Sequence, residues 1–199
     1  MPPVQQREKS EASVARTLEA ALKLFSSRGF RATSMREIAD EAGLSVGNVY
    51  HHFPSKDALF LEVARDLAKR VLIELEGEPR DVRRTLVRFG TAYRKRVLGA
   101  QGIATFRALV PEVPRFRALA RSMYAASAGE AVQRVAAYLD KAMVAGELRR
   151  DDPQLAAEIL LGMLVGHDRV KRLFGVSLPE TDARRAERVV ECFLRAYQK

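Results

Sequence analysis

The chain has 199 residues, of which 47% are hydrophobic and 30% charged, with a formal net charge of +9. That is enough apolar material for a packed core in one or two domains, and it excludes a disordered or collagen-like polymer. Leu155 to Gly166, the longest nearly apolar run, is broken by Glu158 and is too short to span a bilayer, while the lone Cys192 excludes an internal disulfide.

The N-terminus is polar and lacks a secretory core, so a cytoplasmic protein without a membrane partner is expected. In chain order, Val14, Leu18, Ala21, Leu22 and Phe25 form a helical stripe, predicting a first helix that ends near Gly29. Ser34 and Glu37 have capping-box spacing, and Met35, Ile38, Ala39 and Ala42 recur on one face of a second helix that Gly43 stops. Ser45 can cap a third helix, with Val49 and Phe53 four apart as buried anchors before Pro54 ends it.

What remains on that third helix faces outward: Ser45, Val46, Gly47, Asn48, Tyr50 and His51. Two short helices joined by a glycine turn, the second with small, hydrogen-bonding and aromatic residues on its free face, suit the major groove of DNA. Thr33, Ser34 and Arg36 at the start of the second helix, and Lys56 beyond the third, complete the candidate DNA contacts. His51 and His52 are adjacent and point about 100° apart, so they cannot chelate a metal in the i, i+4 manner. Neither metal nor cofactor is expected.

Residues 1–56 hold eight Lys/Arg and six Asp/Glu, so most of the basic excess lies beyond this head. Leu59, Val63, Leu67, Val71 and Leu75 then repeat every fourth residue, predicting a helix of about 20 residues that runs to Gly77 and Pro79. Helices follow over 81–99, 103–110, 115–145, 153–174 and 182–198, with prolines 79, 111, 114, 153 and 179 at the seams. The fold is expected to be all-α, with about nine helices and a domain boundary between residues 1–56 and 57–199.

The last two helices carry two apolar sets. Ile159, Leu160, Met163, Leu164, Val170 and Phe174 lie on one, with His167 beside them, and Val189, Val190, Phe193, Leu194 and Tyr197 on the other. Gly162 and Gly166, four apart, permit a close helix approach. Periodicity alone fits both an intrachain core and an interface between copies. Phe89, Tyr93, Phe106, Met123 and Tyr124 in the middle helices fit a core or the lining of a pocket. Arg94, Lys95, Arg96, Arg107, Arg115, Arg117 and Arg121 among them read mainly as solvated charges. With no glycine-rich phosphate loop, no G-x-S-x-G elbow and no H-E-x-x-H pair, the chain is not expected to be an enzyme.

IADEAGLSVGNVYHHFPSK, with the lead-in LFSSRGFRATSM and the exit YHHFPSKDALF, resembles the DNA-binding domain of the TetR family over roughly residues 12 to 75. FRALVPEVPRFRALARSMY and GELRRDDPQLAAEILLGMLVG are similar to the ligand domain of AcrR-like regulators. The resemblance implies a three-helix head and a C-terminal ligand and dimerisation domain. It implies a homodimeric regulator, most often a repressor, that binds double-stranded DNA at an inverted-repeat operator and is released by a small apolar or amphipathic effector.

The same resemblance places Tyr50 and Lys56 at phosphates and builds a dimeric four-helix bundle from the two final helices. Leu160, Met163, Leu164, His167, Val190, Phe193, Leu194 and Tyr197 would then form the interface, and some of Phe89, Tyr93, Phe106, Met123 and Tyr124 the effector pocket. The rival reading is an architectural or constitutive helix-turn-helix protein without an effector.

Overall fold

The computed structural model describes residues 4–110, 113–114 and 117–198, which leaves Pro111 and Arg115 outside the described residues. It is built from α1 (Val4–Arg28), α2 (Met35–Ala42), α3 (Val46–His52), α4 (Lys56–Leu72), α5 (Val82–Leu98), α6 (Ala100–Leu109), α7 (Arg117–Tyr124), α8 (Glu130–Val144), α9 (Pro153–Leu173) and α10 (Asp182–Tyr197). No strand occurs among the described residues. A 3-10 turn, Ile73–Leu75, carries α4 on to the end that its periodicity sets. The helix expected over 115–145 is divided into α7 and α8 by a π-helical turn, Ala125–Gly129. Its sequence, AASAG, has no large side chain to lock the α-helical register. Counted as one rod, α7 and α8 bring the described helices to the expected nine.

The chain divides into two compact units. One comprises Met1–Asp66 with Ala104–Tyr124, the other Leu67–Ile103 with Ala125–Lys199. The first break falls inside α4 rather than at residue 56. In the first unit α1 packs on α2 and α3. Leu18, Ala21 and Phe25 of the α1 stripe are buried, and Phe25, Phe30 and Phe60 form a ring cluster with centroids 4.7 to 5.6 Å apart. Ser26 Oγ meets Thr105 Oγ1 at 3.1 Å, which ties α1 to the part of α6 belonging to this unit. Leu59 and Val63 of α4 are buried here; the side chain of Leu67 lies outside the described residues.

In the second unit α5 packs against α9 and α10, and α8 against α9. Leu86, Phe89, Val135, Leu139, Leu160, Leu164, Val190 and Phe193 fill the centre. Gly90 lets α5 come this close: a Cβ there would stand 2.9 Å from Leu164 Cδ2 and 3.3 Å from the Ala186 Cβ. Charge is buried as well. Arg94, expected in solvent, is completely enclosed. Its Nη1 donates to the Leu164 carbonyl and stands 2.9 Å from Asp168 Oδ2, while its Nε is 3.3 Å from Asp182 Oδ1. Arg185 Nε reaches the same Asp168 oxygen at 3.5 Å, so α5, α9 and α10 share one ionic cluster. A lone guanidinium in this core would be prohibitively costly, and the two carboxylates are what make its burial possible.

This core overturns part of the expected interface. Leu160, Leu164, Val190, Phe193 and Tyr197 are all buried within the chain, so they cannot also face a second copy. Each lies on the side of α9 or α10 that packs against neighbouring helices of the same unit. Leu194 is half-buried against that core. Met163 and His167 remain exposed, and with Leu155, Ile159, Val170 and Phe174 they mark an uncovered apolar face of α9 that also includes Gly162 and Gly166.

Candidate nucleic-acid interface

The second and third helices are fixed by local chemistry. Ser34 Oγ accepts from the Glu37 backbone N–H at 3.2 Å, and Glu37 Oε2 accepts from the Ser34 N–H at 2.8 Å, closing the capping box. That backbone bond, then the Ser34 hydroxyl and Arg28, hold the Glu37 carboxyl below its ordinary range. The Arg28–Glu37 and Lys23–Glu41 pairs at 2.9 and 2.6 Å are largely solvated. Exposed pairs contribute at most about 1 kcal/mol each, so the apolar face does more of the holding: Met35, Ile38, Ala39 and Ala42 are all buried, as the spacing predicts. Gly43 ends α2 with φ +62, a left-handed conformation that strains any residue with a Cβ.

Arg16 of α1 completes that turn. Its Nη2 donates to the carbonyls of Ala42 and, at 2.9 Å, Gly43, satisfying acceptors left free at the α2 terminus. Sequence reasoning missed Arg16, because nothing local pairs it with a carbonyl 26 residues away. A Cβ at position 43 would also come within 2.7 Å of Arg16 Nη2, so the glycine is required twice over.

Ser45 caps α3 by accepting from the Asn48 N–H, and Val49 and Phe53 anchor the helix in the core. Tyr50 is 49% exposed, and Ser45, Gly47 and His51 are exposed, while Val46 and Asn48 are half-buried. His51 and His52 meet edge to face with centroids 5.0 Å apart. Ser34 and Arg36 are exposed at the start of α2. These residues stand together on one short, rigidly seated helix and the turn before α2, which is the geometry a major-groove reader needs.

Two expected contacts are placed otherwise. Thr33 is 1% exposed, with its hydroxyl donating to the Gly29 carbonyl at 2.9 Å, so its side chain holds the approach to α2 and cannot meet DNA. Lys56 points inward. Its Nζ donates to the carbonyls of Phe30 and Thr33 at 2.8 Å each and of Arg31 at 3.4 Å, and lies 4.5 Å from the Phe30 ring centroid. An ammonium group has three donors, and here they converge on the loop between α1 and α2.

Lys56→Met keeps the aliphatic stem and removes those bonds. Because hydrogen bonds to a charged group contribute about 1.5–3 kcal/mol, we expect urea denaturation to show roughly that loss, with affinity for all duplexes falling together. Unchanged stability with weakened DNA binding would return Lys56 to the phosphates.

The pocket candidates are divided between the units: Phe89 and Tyr93 belong to the second, Phe106, Met123 and Tyr124 to the first. Phe89 is fully buried and stacks on Tyr93 with centroids 5.5 Å apart, so it is a core residue. Burial pushes the Tyr93 hydroxyl pKa up, against the opposing pull of Arg169. Met123 is buried, Phe106 borderline exposed and Tyr124 64% exposed. Among the described residues no group of three or more His, Cys, Asp and Glu is placed to hold a metal, and no helix is long and apolar enough to cross a membrane.

Comparison with known proteins adds the wider context. Residues 18–63 match the family profile described as bacterial regulatory proteins, tetR family, and residues 84–199 the one described as AefR-like transcriptional repressor, C-terminal domain. The chain is 43% identical over 65 residues to the HTH-type transcriptional repressor KstR2 of Rhodococcus jostii (strain RHA1). That match covers 33% of the chain and 30% of KstR2, and the chain spans less than a third of the curated relatives it matches. Likeness to solved structures is far more extensive. The flavonoid-responsive regulator FrrA superposes with a TM-score of 0.71 at 30% identity, over 94% of this chain and 97% of FrrA. A Mesorhizobium loti MAFF303099 protein described as a TetR-family transcriptional regulator gives 0.77 at 27% identity, over 96% and 98%.

Proposed function

The chain belongs to the TetR family of bacterial regulatory proteins, and from that premise we propose that it is a homodimeric repressor of an inverted-repeat operator, released by a small apolar or amphipathic effector. The observation that carries the DNA reading is α3: capped by Ser45, seated by Val49 and Phe53, and presenting Val46, Gly47, Asn48, Tyr50 and His51 to a groove. Ser34 and Arg36 lie where α2 meets the backbone. The repressor character is supported by the AefR-like C-terminal match and by KstR2, itself a repressor.

Pairing through the exposed face of α9 supports the dimer. Leu155, Ile159, Met163, Val170 and Phe174 offer apolar area, and Gly162 and Gly166 have nothing within 4 Å of where a Cβ would stand, so a partner helix can approach them closely. Two copies related by a two-fold axis suit two half-sites of a palindrome. The effector would act by binding the DNA-free state more tightly; a hundredfold preference, about 2.7 kcal/mol, lowers operator affinity by the same factor. The name of FrrA supports an aromatic, amphipathic molecule.

Affinity for an inverted-repeat operator should fall against salt with a logarithmic slope of about −4 to −7, as expected for roughly 4 to 8 phosphates neutralised per dimer. Fluorescence anisotropy with operator and scrambled duplexes measures it. Equal affinities for both at every salt concentration would favour an architectural protein.

A further inference from the structure

Asn48 carries an asymmetry that bears on which base it meets. Its Oδ1 is enclosed, with no hydrogen-bond partner among the described residues. The backbone N–H of the same residue is already spent on Ser45 Oγ. The residue is half-buried, and its Nδ2 is the end of the amide left open at the surface of α3. Turning the amide over would enclose two N–H donors without acceptors in place of one carbonyl oxygen, and orphaned buried donors are the rarer and costlier arrangement. Asn48 therefore offers the groove hydrogen-bond donors and withholds its acceptor.

We infer that Asn48 selects a keto base, guanine or thymine, at one position of each half-site. In the major groove guanine O6 and thymine O4 are acceptors, whereas adenine N6 and cytosine N4 are donors at the corresponding place. The two-bond pairing of asparagine with adenine needs Oδ1 and Nδ2 to face the groove together, and the enclosed Oδ1 does not allow it. The inference rests on the reading of α3 as the element that enters the groove.

Selection from randomised duplexes, run on the wild-type full chain and on Asn48→Asp and Asn48→Ala, tests it. Aspartate has the same shape but puts an oxygen where Nδ2 was, so the outward donor becomes an acceptor. We expect the wild type to favour G or T over A or C by about tenfold at one position, Asn48→Asp to reverse that order, and Asn48→Ala to flatten it. Circular dichroism checks that both variants fold; relative preference within each selection is unaffected by any uniform loss of affinity. A wild-type consensus with A or C at the position that responds to Asn48, or a consensus that neither variant alters, overturns the inference and leaves the groove reading standing. A wild type that selects no sequence overturns both.

Discussion

Arg94→Ala should destabilise the second unit by roughly 3–5 kcal/mol, the range for removing one partner of a buried ion pair. Arg94 is fully enclosed and Asp168 is 6% exposed, so neither charge has water to fall back on. Removing the guanidinium takes away the 2.9 Å contact with Asp168, the 3.3 Å contact with Asp182 and the bond to the Leu164 carbonyl. Asp182 can be resolvated, since it is partly exposed, but Asp168 is left with only Arg185 at 3.5 Å. The Arg94 Nη2 has no hydrogen-bond partner among the described residues, so the native pair already bears a desolvation cost. It follows that Arg94→Met combined with Asp168→Leu should recover most of the loss, since apolar replacement of a whole buried pair is often neutral or better. Chemical denaturation of the two single variants and the double gives the coupling energy. A single Arg94→Ala variant within about 1 kcal/mol of wild type would mean that the cluster is far better hydrated than its geometry allows.

The second large effect separates two neighbours on α9. Ile159 is 40% exposed and Leu160 not at all. A glutamate at 159 should leave the fold intact and abolish dimerisation. A two-fold interface takes every substitution twice, and each unpaired buried carboxylate costs several kcal/mol, so dimer affinity should drop by at least about a hundredfold. A glutamate at 160 should instead unfold or aggregate the chain, because it lands among Leu86, Phe89 and Leu139 in the core. Sedimentation velocity with circular dichroism distinguishes the outcomes. A folded Ile159→Glu variant that stays fully dimeric would move the interface off α9.

That contrast also explains what the sequence could tell. α2 and α3 were legible because their signals are local: a cap, a glycine stop and one apolar face each, all within about 20 residues. On α9 the apolar residues run all round the helix. Ala156, Ala157, Leu160, Leu161, Leu164 and Val165 face inward and Leu155, Ile159, Met163 and Val170 outward, so periodicity showed a sticky helix and mixed its two faces. Arg94 and Asp168 lie 74 positions apart, and nothing near either one announces the other. Lys56 was misplaced for a related reason: its position beside a DNA-reading helix suggests a phosphate, whereas the carbonyls that claim it belong to a loop some 25 residues earlier.

The first unit is stitched from two stretches of chain, Met1–Asp66 and Ala104–Tyr124, with the bond between Ser26 and Thr105 joining them. Synthesis therefore delivers α1 to α3 long before it delivers their last supports. A ribosome must add 37 residues assigned to the other unit before Ala104 appears, and during that interval the helices that read DNA exist without their full scaffold. Birth order and completion order are uncoupled in this protein: the part made first is among the parts finished late, and a nascent chain cannot present a complete reading head until it has grown past Tyr124.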